Sequence, residues 1–129
     1  MGDDVHELSV AQEIFDASHR AVAAHGRGRL ERVRVAVGEL SAIEPDLLRF
    51  AWEAITAEGP DAGCAIEIEW RPARQRCPRC VRELERPVHG WLPVCPRCGE
   101  ALRVEGGQEL DLLQVSFESE DGAKGAGDD

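Results

Sequence analysis

Cys77-Pro78-Arg79-Cys80 and Cys95-Pro96-Arg97-Cys98 are one four-residue turn written twice, with fourteen residues between the copies. Each copy sets two sulfurs three residues apart, so both can reach one ion while backbone amides of the turn donate to them. Four thiolates in a tetrahedral array are what a structural Zn²⁺ takes, and no position is left open for water, so a metal here is structural and not catalytic. Two disulfides are the rival use of four cysteines. The odd total of five Cys and the lack of a secretory signal at the start of the sequence disfavour them. A rubredoxin-like iron site uses the same donors and stays open as an alternative.

A metal-stapled stretch of about 30 residues cannot bury a core of its own, and a 129-residue chain has room for one modest body beside it. The formal charge of −10 and sequence pI ≈ 4.8 argue against a nucleic-acid-binding protein taken whole. That charge is uneven. Residues 71–103 hold eight Arg against three Glu (+5), whereas residues 1–70 carry −8 and residues 104–129 carry −7. Zinc with four thiolates contributes −2, which leaves the lobe at about +3 and suits it to dock an acidic partner. A zinc-ribbon nucleic-acid-binding module is the second reading this lobe motivates. The scattering of the arginines, and Trp91 as its one aromatic for stacking on a base, weaken it. No apolar run approaches a membrane span, and His6 stands where a myristoylation signal has Ser or Thr, so a cytoplasmic protein is expected.

Outward from the cysteines, the remaining elements follow from periodicity. Met1-Gly2-Asp3-Asp4 is polar, with little to order it, and Ser9 with Gln12 forms a capping box. Leu8, Ala11, Phe15, Ser18 and Val22, widened by Ile14 and Ala21, then predict an amphipathic helix to a C-cap near Gly26, with His19 and His25 near its solvated face. Val33, Val35 and Val37 alternate with Arg32 and Arg34 in a half-buried strand. Glu44-Pro45 opens a second helix with apolar face Leu48, Ala51, Trp52 and Ile55, stopped by Gly59-Pro60. Cys64, Ile66, Ile68 and Trp70 alternate in a second strand, which makes Cys64 a buried apolar residue and not a fifth ligand. After the cysteines, Gly106-Gly107 reads as a hinge and Leu110 to Phe117 as a third strand. Its apolar residues change face near Leu112, the signature of a bulge or of two covered faces. Residues 119–129 contain no large apolar residue and read as a disordered acidic tail.

The expected fold class is α+β: two helices on a three-stranded sheet, with a four-cysteine zinc-ribbon-like module inserted before the last strand. The expected units are a body of residues 1–70 plus 104–118, the zinc-binding module of 71–103, and the tail. No paired Ser/His/Asp or reactive-Cys constellation appears, so a binding protein without turnover is expected rather than an enzyme.

Several stretches together resemble the HypA family, nickel metallochaperones of [NiFe]-hydrogenase maturation. They are His6-Glu7-Leu8-Ser9, Gly38-Glu39-Leu40-Ser41, the run from Glu44-Pro45-Asp46 to Trp52-Glu53, both Cys-x-x-Cys turns, and Gly107-Gln108-Glu109-Leu110. The resemblance covers about residues 5 to 118, in order. It implies a structural zinc on Cys77, Cys80, Cys95 and Cys98, and a transferred Ni²⁺ held at the N-terminus with His6 and Glu7 as the site residues. It further implies a HypB-type GTPase and the hydrogenase large subunit as partners. Deprotonated amide nitrogens and an imidazole give the strong in-plane field that low-spin Ni²⁺ prefers. The bland alternative for His6-Glu7 is an exposed pair ahead of a helix, Glu7 lying near its positive end. Glu39 and Glu44 are either a strand-end carboxylate and an N-cap acid, or an outer shell around the N-terminal metal.

In the family's pattern the His stands directly after the first residue, whose amine completes the nickel plane, yet here Met1-Gly2-Asp3-Asp4-Val5 precedes His6. A GUG codon reads as Val internally and as Met at initiation, so a natural start at Val5 is the expectation. The competing expectation keeps the extension and binds nickel through His6 and internal amides, more weakly because one further amide must lose its proton.

Overall fold

A computed structural model describes residues 2–26, 28–87, 90–119 and 124–127. Among these, no helix is long and apolar enough to cross a membrane.

The helix after the first strand forms as its sequence dictates. Glu44 is extended (φ −88°, ψ 118°) and its carboxylate accepts from the Asp46 amide at 3.0 Å, capping α2 (Pro45–Thr56). Pro45 takes the first helical position, where a missing N–H costs nothing. Leu48, Ala51 and Trp52 are buried, and the Trp52 indole donates to the Cys64 carbonyl at 3.0 Å. The flanking strands β1 (Gly28–Gly38) and β2 (Ala65–Arg71) run parallel, Arg32 opposite Ala65 and Gly38 opposite Arg71, so α2 is the crossover that parallel neighbours require.

On the other side of β1, β6 (Leu110–Ser119) runs antiparallel. The register shifts between Arg34 and Val35, whose partners are Gln114 and Leu112, so Leu113 is the extra residue of a bulge. That bulge brings Leu112, Val115 and Phe117 to the buried side, as the change of face in the sequence requires. The three expected strands gain a fourth, β7 (Lys124–Gly127), paired to β6, so the order is β2-β1-β6-β7. Residues 124–127 were expected to lack structure. Backbone pairing on an open edge needs no apolar side chain, which is why composition misses it; the rest of the tail past Ser119 lies outside the described residues.

Helix α1 (Gly2–Ala23) packs with α2 over the sheet, and it differs from expectation at its start. It runs through the Ser9–Gln12 capping box to Gly2, so His6-Glu7 lies inside the helix and not ahead of it. Its buried stripe is Glu7, Val10, Ala11, Ile14, Ser18 and Val22, while Leu8 is 46% exposed. A carboxylate occupies a core-facing position, and a search for apolar periodicity passes over it.

A second sheet, in the order β4-β3-β5, is built from β3 (Arg74–Cys77), β4 (Arg82–Leu84) and β5 (Arg103–Glu105), and extends two residues beyond the expected end at 103. Its small core is Cys77, Leu84 and Cys95 with Cys80, Leu92, Cys98 and Leu102 around them. The junction between the sheets is closed. A Cβ on Gly38 would lie 2.2 Å from the Gly107 carbonyl oxygen, and one on Gly107, at φ +82°, would lie 2.7 Å from Ala73 Cβ. Gly38 N donates to Glu109 O at 2.7 Å, and Glu39 N to Arg71 O at 2.9 Å. Of the two glycines expected to form a hinge, Gly107 is there for close backbone approach, while Gly106, at φ +73°, has room for a Cβ and takes a left-handed turn.

Candidate metal centre

The two Cys-Pro-Arg-Cys turns close identically: Val81 N donates to Cys77 O and Gly99 N to Cys95 O, both at 2.8 Å. Within the first, Cys80 N donates to Cys77 Sγ at 3.3 Å. All four sulfurs lie within 4.8 Å of one another, and Cys77 Sγ is 3.6 Å from Cys98 Sγ. A zinc–sulfur bond of about 2.3 Å puts the corners of a tetrahedron about 3.8 Å apart, so the donor set fits zinc. Cys77 and Cys95 are buried, and Cys80 and Cys98 are half-buried. Burial opposes ionisation of Cys95, but donation from the Arg97 and Cys98 amides brings its thiol down to about 6. Burial and then the neighbouring sulfurs push Cys80 up to about 12. Four thiolates crowded this closely need a cation among them, which a Zn²⁺ supplies.

Behind the sulfurs, the buried Gln75 amide grips the connecting segment twice, donating to Leu92 O at 3.0 Å and accepting from Leu92 N at 2.8 Å. Arg86 then ties this module to the body. Its guanidinium reaches Glu39 at 2.6 and 2.9 Å, donates to the Ala73 and Gly90 carbonyls at 2.7 and 2.9 Å, and lies 3.7 Å from the centre of the Trp91 ring. Glu39 also accepts from Ala73 N at 2.9 Å. The Glu39 carboxylate is thus committed to the zinc module side. Glu44 spends its carboxylate on its own helix, and its backbone amide is what meets the N-terminal region.

At that region the sequence neighbours part. His6 is exposed, whereas Glu7 is 1% exposed; Glu7 Oε2 accepts from Glu44 N at 2.8 Å and Oε1 is buried without a hydrogen-bond partner among the described residues. The structure brings the four cysteines together, and it places Glu7, with His6 beside it, at the start of α2 and outside that cluster. Cys64 is buried and outside the cluster, as expected.

Two groups escaped the sequence reading. Asp61, 2% exposed, accepts from Leu30 N at 2.8 Å and meets His19 Nε2 at 2.6 Å, so His19 is held between helix and loop and is not simply solvated. Arg86 belongs to the junction with Glu39 and not to the free charge of the lobe. Neither position carries a sequence signal, because their partners are 42 and 47 residues away.

A closed four-sulfur module clasped to an α+β body, with an exposed His beside a buried carboxylate on the first helix, defines a small metal-handling protein. Residues 5–117 match the family described as hydrogenase/urease nickel incorporation, metallochaperone, HypA, and the chain belongs to that family. The hydrogenase maturation factor HypA of Solidesulfovibrio magneticus is 36% identical over 118 residues, spanning 88% of this chain and 100% of the relative. The hydrogenase maturation factor HybF of Escherichia coli O157:H7 is 32% identical over 115 residues, with the same 88% and 100% coverage. The solution structure of the nickel metallochaperone HypA from Helicobacter pylori shares the fold, with a TM-score of 0.58 at 22% identity over 88% of this chain and 98% of that one. A second solution structure of a HypA protein gives 0.64 at 23% identity, covering 90% and 98%. The nucleic-acid reading finds no support here.

Proposed function

We propose that this chain carries Ni²⁺ for [NiFe]-hydrogenase maturation, taking it up around His6 and Glu7, with Cys77, Cys80, Cys95 and Cys98 holding a structural zinc. The observation that carries the reading is the exposed imidazole of His6 on the first turns of α1, in a chain whose residues 5–117 match a nickel metallochaperone family. An exposed site suits cargo that must leave again, and amide nitrogens with an imidazole favour square-planar Ni²⁺ over Zn²⁺. The sulfur site has the opposite character: closed, with its ligands on short turns. The chain acts in the cytoplasm without turnover of its own. It receives or hands on nickel with a HypB-type GTPase and the hydrogenase large subunit as partners. The zinc-binding residues 71–103 work as one unit and the body of 1–70 plus 104–118 as another.

A nickel titration of the zinc-loaded 129-residue chain against a version beginning Met-His6-Glu7 tests the uptake site. Uptake of one nickel per chain with tighter binding in the shorter version supports it. Equal affinity with the same square-planar spectrum excludes the terminal amine as a ligand, and no nickel uptake by either removes the function.

A further inference from the structure

The sequence encodes a helix start that the structure does not use. Ser9 and Gln12 have the spacing of a capping box, yet α1 continues past them to Gly2; Ser9 is exposed and the Gln12 amide donates outward to Asp16 Oδ1 at 3.1 Å. Two residues before Ser9, the Glu7 carboxylate is buried against the N-terminal end of α2, with one oxygen on Glu44 N and the other without a hydrogen-bond partner among the described residues. We propose that nickel uptake shortens α1 to a start at Ser9, and that the buried Glu7 side chain is a positioning residue, not a nickel ligand, which keeps the released segment docked on α2.

The inference rests on nickel being bound at His6 and follows from helix geometry. In a helix starting at Gly2, the amide of His6 is held by the carbonyl four residues earlier and cannot be a deprotonated metal donor. Consecutive side chains on a helix diverge by about 100°, so the outward His6 imidazole and the inward Glu7 carboxylate do not meet on one exposed ion. Wrapping the backbone around nickel therefore requires the first turns to uncoil. Uncoiling strands the N–H groups of the new first turn, which a Ser at the cap satisfies through its hydroxyl while Gln12 swings back to the Ser9 amide. Val10, Ala11 and Ile14, all buried, keep the helix in place beyond that point. Glu7 lies on the released side and stays attached through the Glu44 amide and the positive end of α2. His6 is then presented from a fixed point instead of from a free arm.

The test uses the zinc-loaded full chain and its Ser9→Ala, Glu7→Gln, Glu7→Ala and His6→Ala variants. Backbone NMR and far-ultraviolet circular dichroism are recorded with and without nickel, and affinity is measured against a chelator. Nickel should abolish the helical signals of residues 3–8 while those from Val10 onward persist. Ser9→Ala should leave the nickel-free melting unchanged or raised, because Ala is the better interior helix residue, and should weaken nickel about fivefold, the worth of a cap. Glu7→Gln, which still accepts from Glu44 N, should keep the nickel absorption spectrum and bind more tightly than Glu7→Ala. Helical signals of residues 3–8 that survive nickel, or Ser9→Ala with unchanged affinity, overturn the inference while His6-dependent nickel binding stands. A Glu7→Gln spectrum altered in its ligand-field bands makes the carboxylate a ligand and also overturns it. Full nickel affinity in His6→Ala overturns both this inference and the uptake site beneath it.

Discussion

Val81 and Gly99 hold equivalent places in the two cysteine turns, at φ 55° and 77°, but only glycine takes that conformation without strain. Val81→Gly should stabilise the zinc-loaded module by about 1 kcal/mol, read as roughly fivefold tighter zinc in a chelator competition; unchanged or weaker zinc would show that the valine is not strained. Cys64 offers a pH test. Burial first, then the negative charges of Asp61 and Glu31, push its thiol up to about 11 from 9.0. A pKa raised on folding contributes stability that is present below the unfolded value and is lost as pH climbs through the folded one. Thermal stability should accordingly fall between pH 9.0 and about 11 in the native chain, and fall less steeply in Cys64→Ala; parallel slopes would contradict the assignment. The fate of Cys64 was legible because alternation with Ile66 and Ile68 places it on the core side. Glu7 was not, since nothing in a carboxylate's identity announces that Glu44 N lies within 2.8 Å of it.

Among the elements, α2 and β6 were readable because local chemistry determines them: a capping Glu44 with Pro45, and a change of buried face that only a bulge accommodates. The start of α1 was misplaced because the Ser9–Gln12 spacing writes a cap that the helix runs through, and the buried Glu7 lies inside the helix where apolar periodicity does not look. The junction was misread because Gly106-Gly107 signals flexibility equally with close approach, and only Gly38 and Ala73, far away in sequence, decide between them. Arg86 is the side-chain part of that junction, 12% exposed against 25% for Glu39. Arg86→Ala should lower the unfolding free energy by about 2 kcal/mol in urea, since charge-assisted bonds to Glu39 and two carbonyl contacts are lost together. A loss below about 0.5 kcal/mol would place the ion pair with ordinary surface pairs.

For the whole molecule, the asymmetry of charge persists in the fold with one revision. Arg86 is spent internally, and Arg79, Arg82 and Arg97 are exposed cations on or beside the cysteine turns, with Glu83 and Glu100 exposed near them. Charge reversal at Arg79 and Arg82 should slow association with an acidic maturation partner at low salt and do so less at high salt; an unchanged rate would make the lobe's charge merely solvating. Zinc removal should cost the β3–β4–β5 sheet its NMR dispersion while the β1–β2–β6 sheet with its own buried core stays folded, whereas simultaneous loss of both would show that the junction makes them one cooperative unit. The division of labour between a closed sulfur site and an exposed histidine is what the whole molecule is built on. Its most direct measurement is nickel uptake by the zinc-loaded chain and by His6→Ala, with bound zinc quantified throughout. One nickel per chain is expected, lost in His6→Ala, with one zinc retained in both. Nickel that binds equally well without His6, or that enters only as zinc leaves the cysteines, would contradict it.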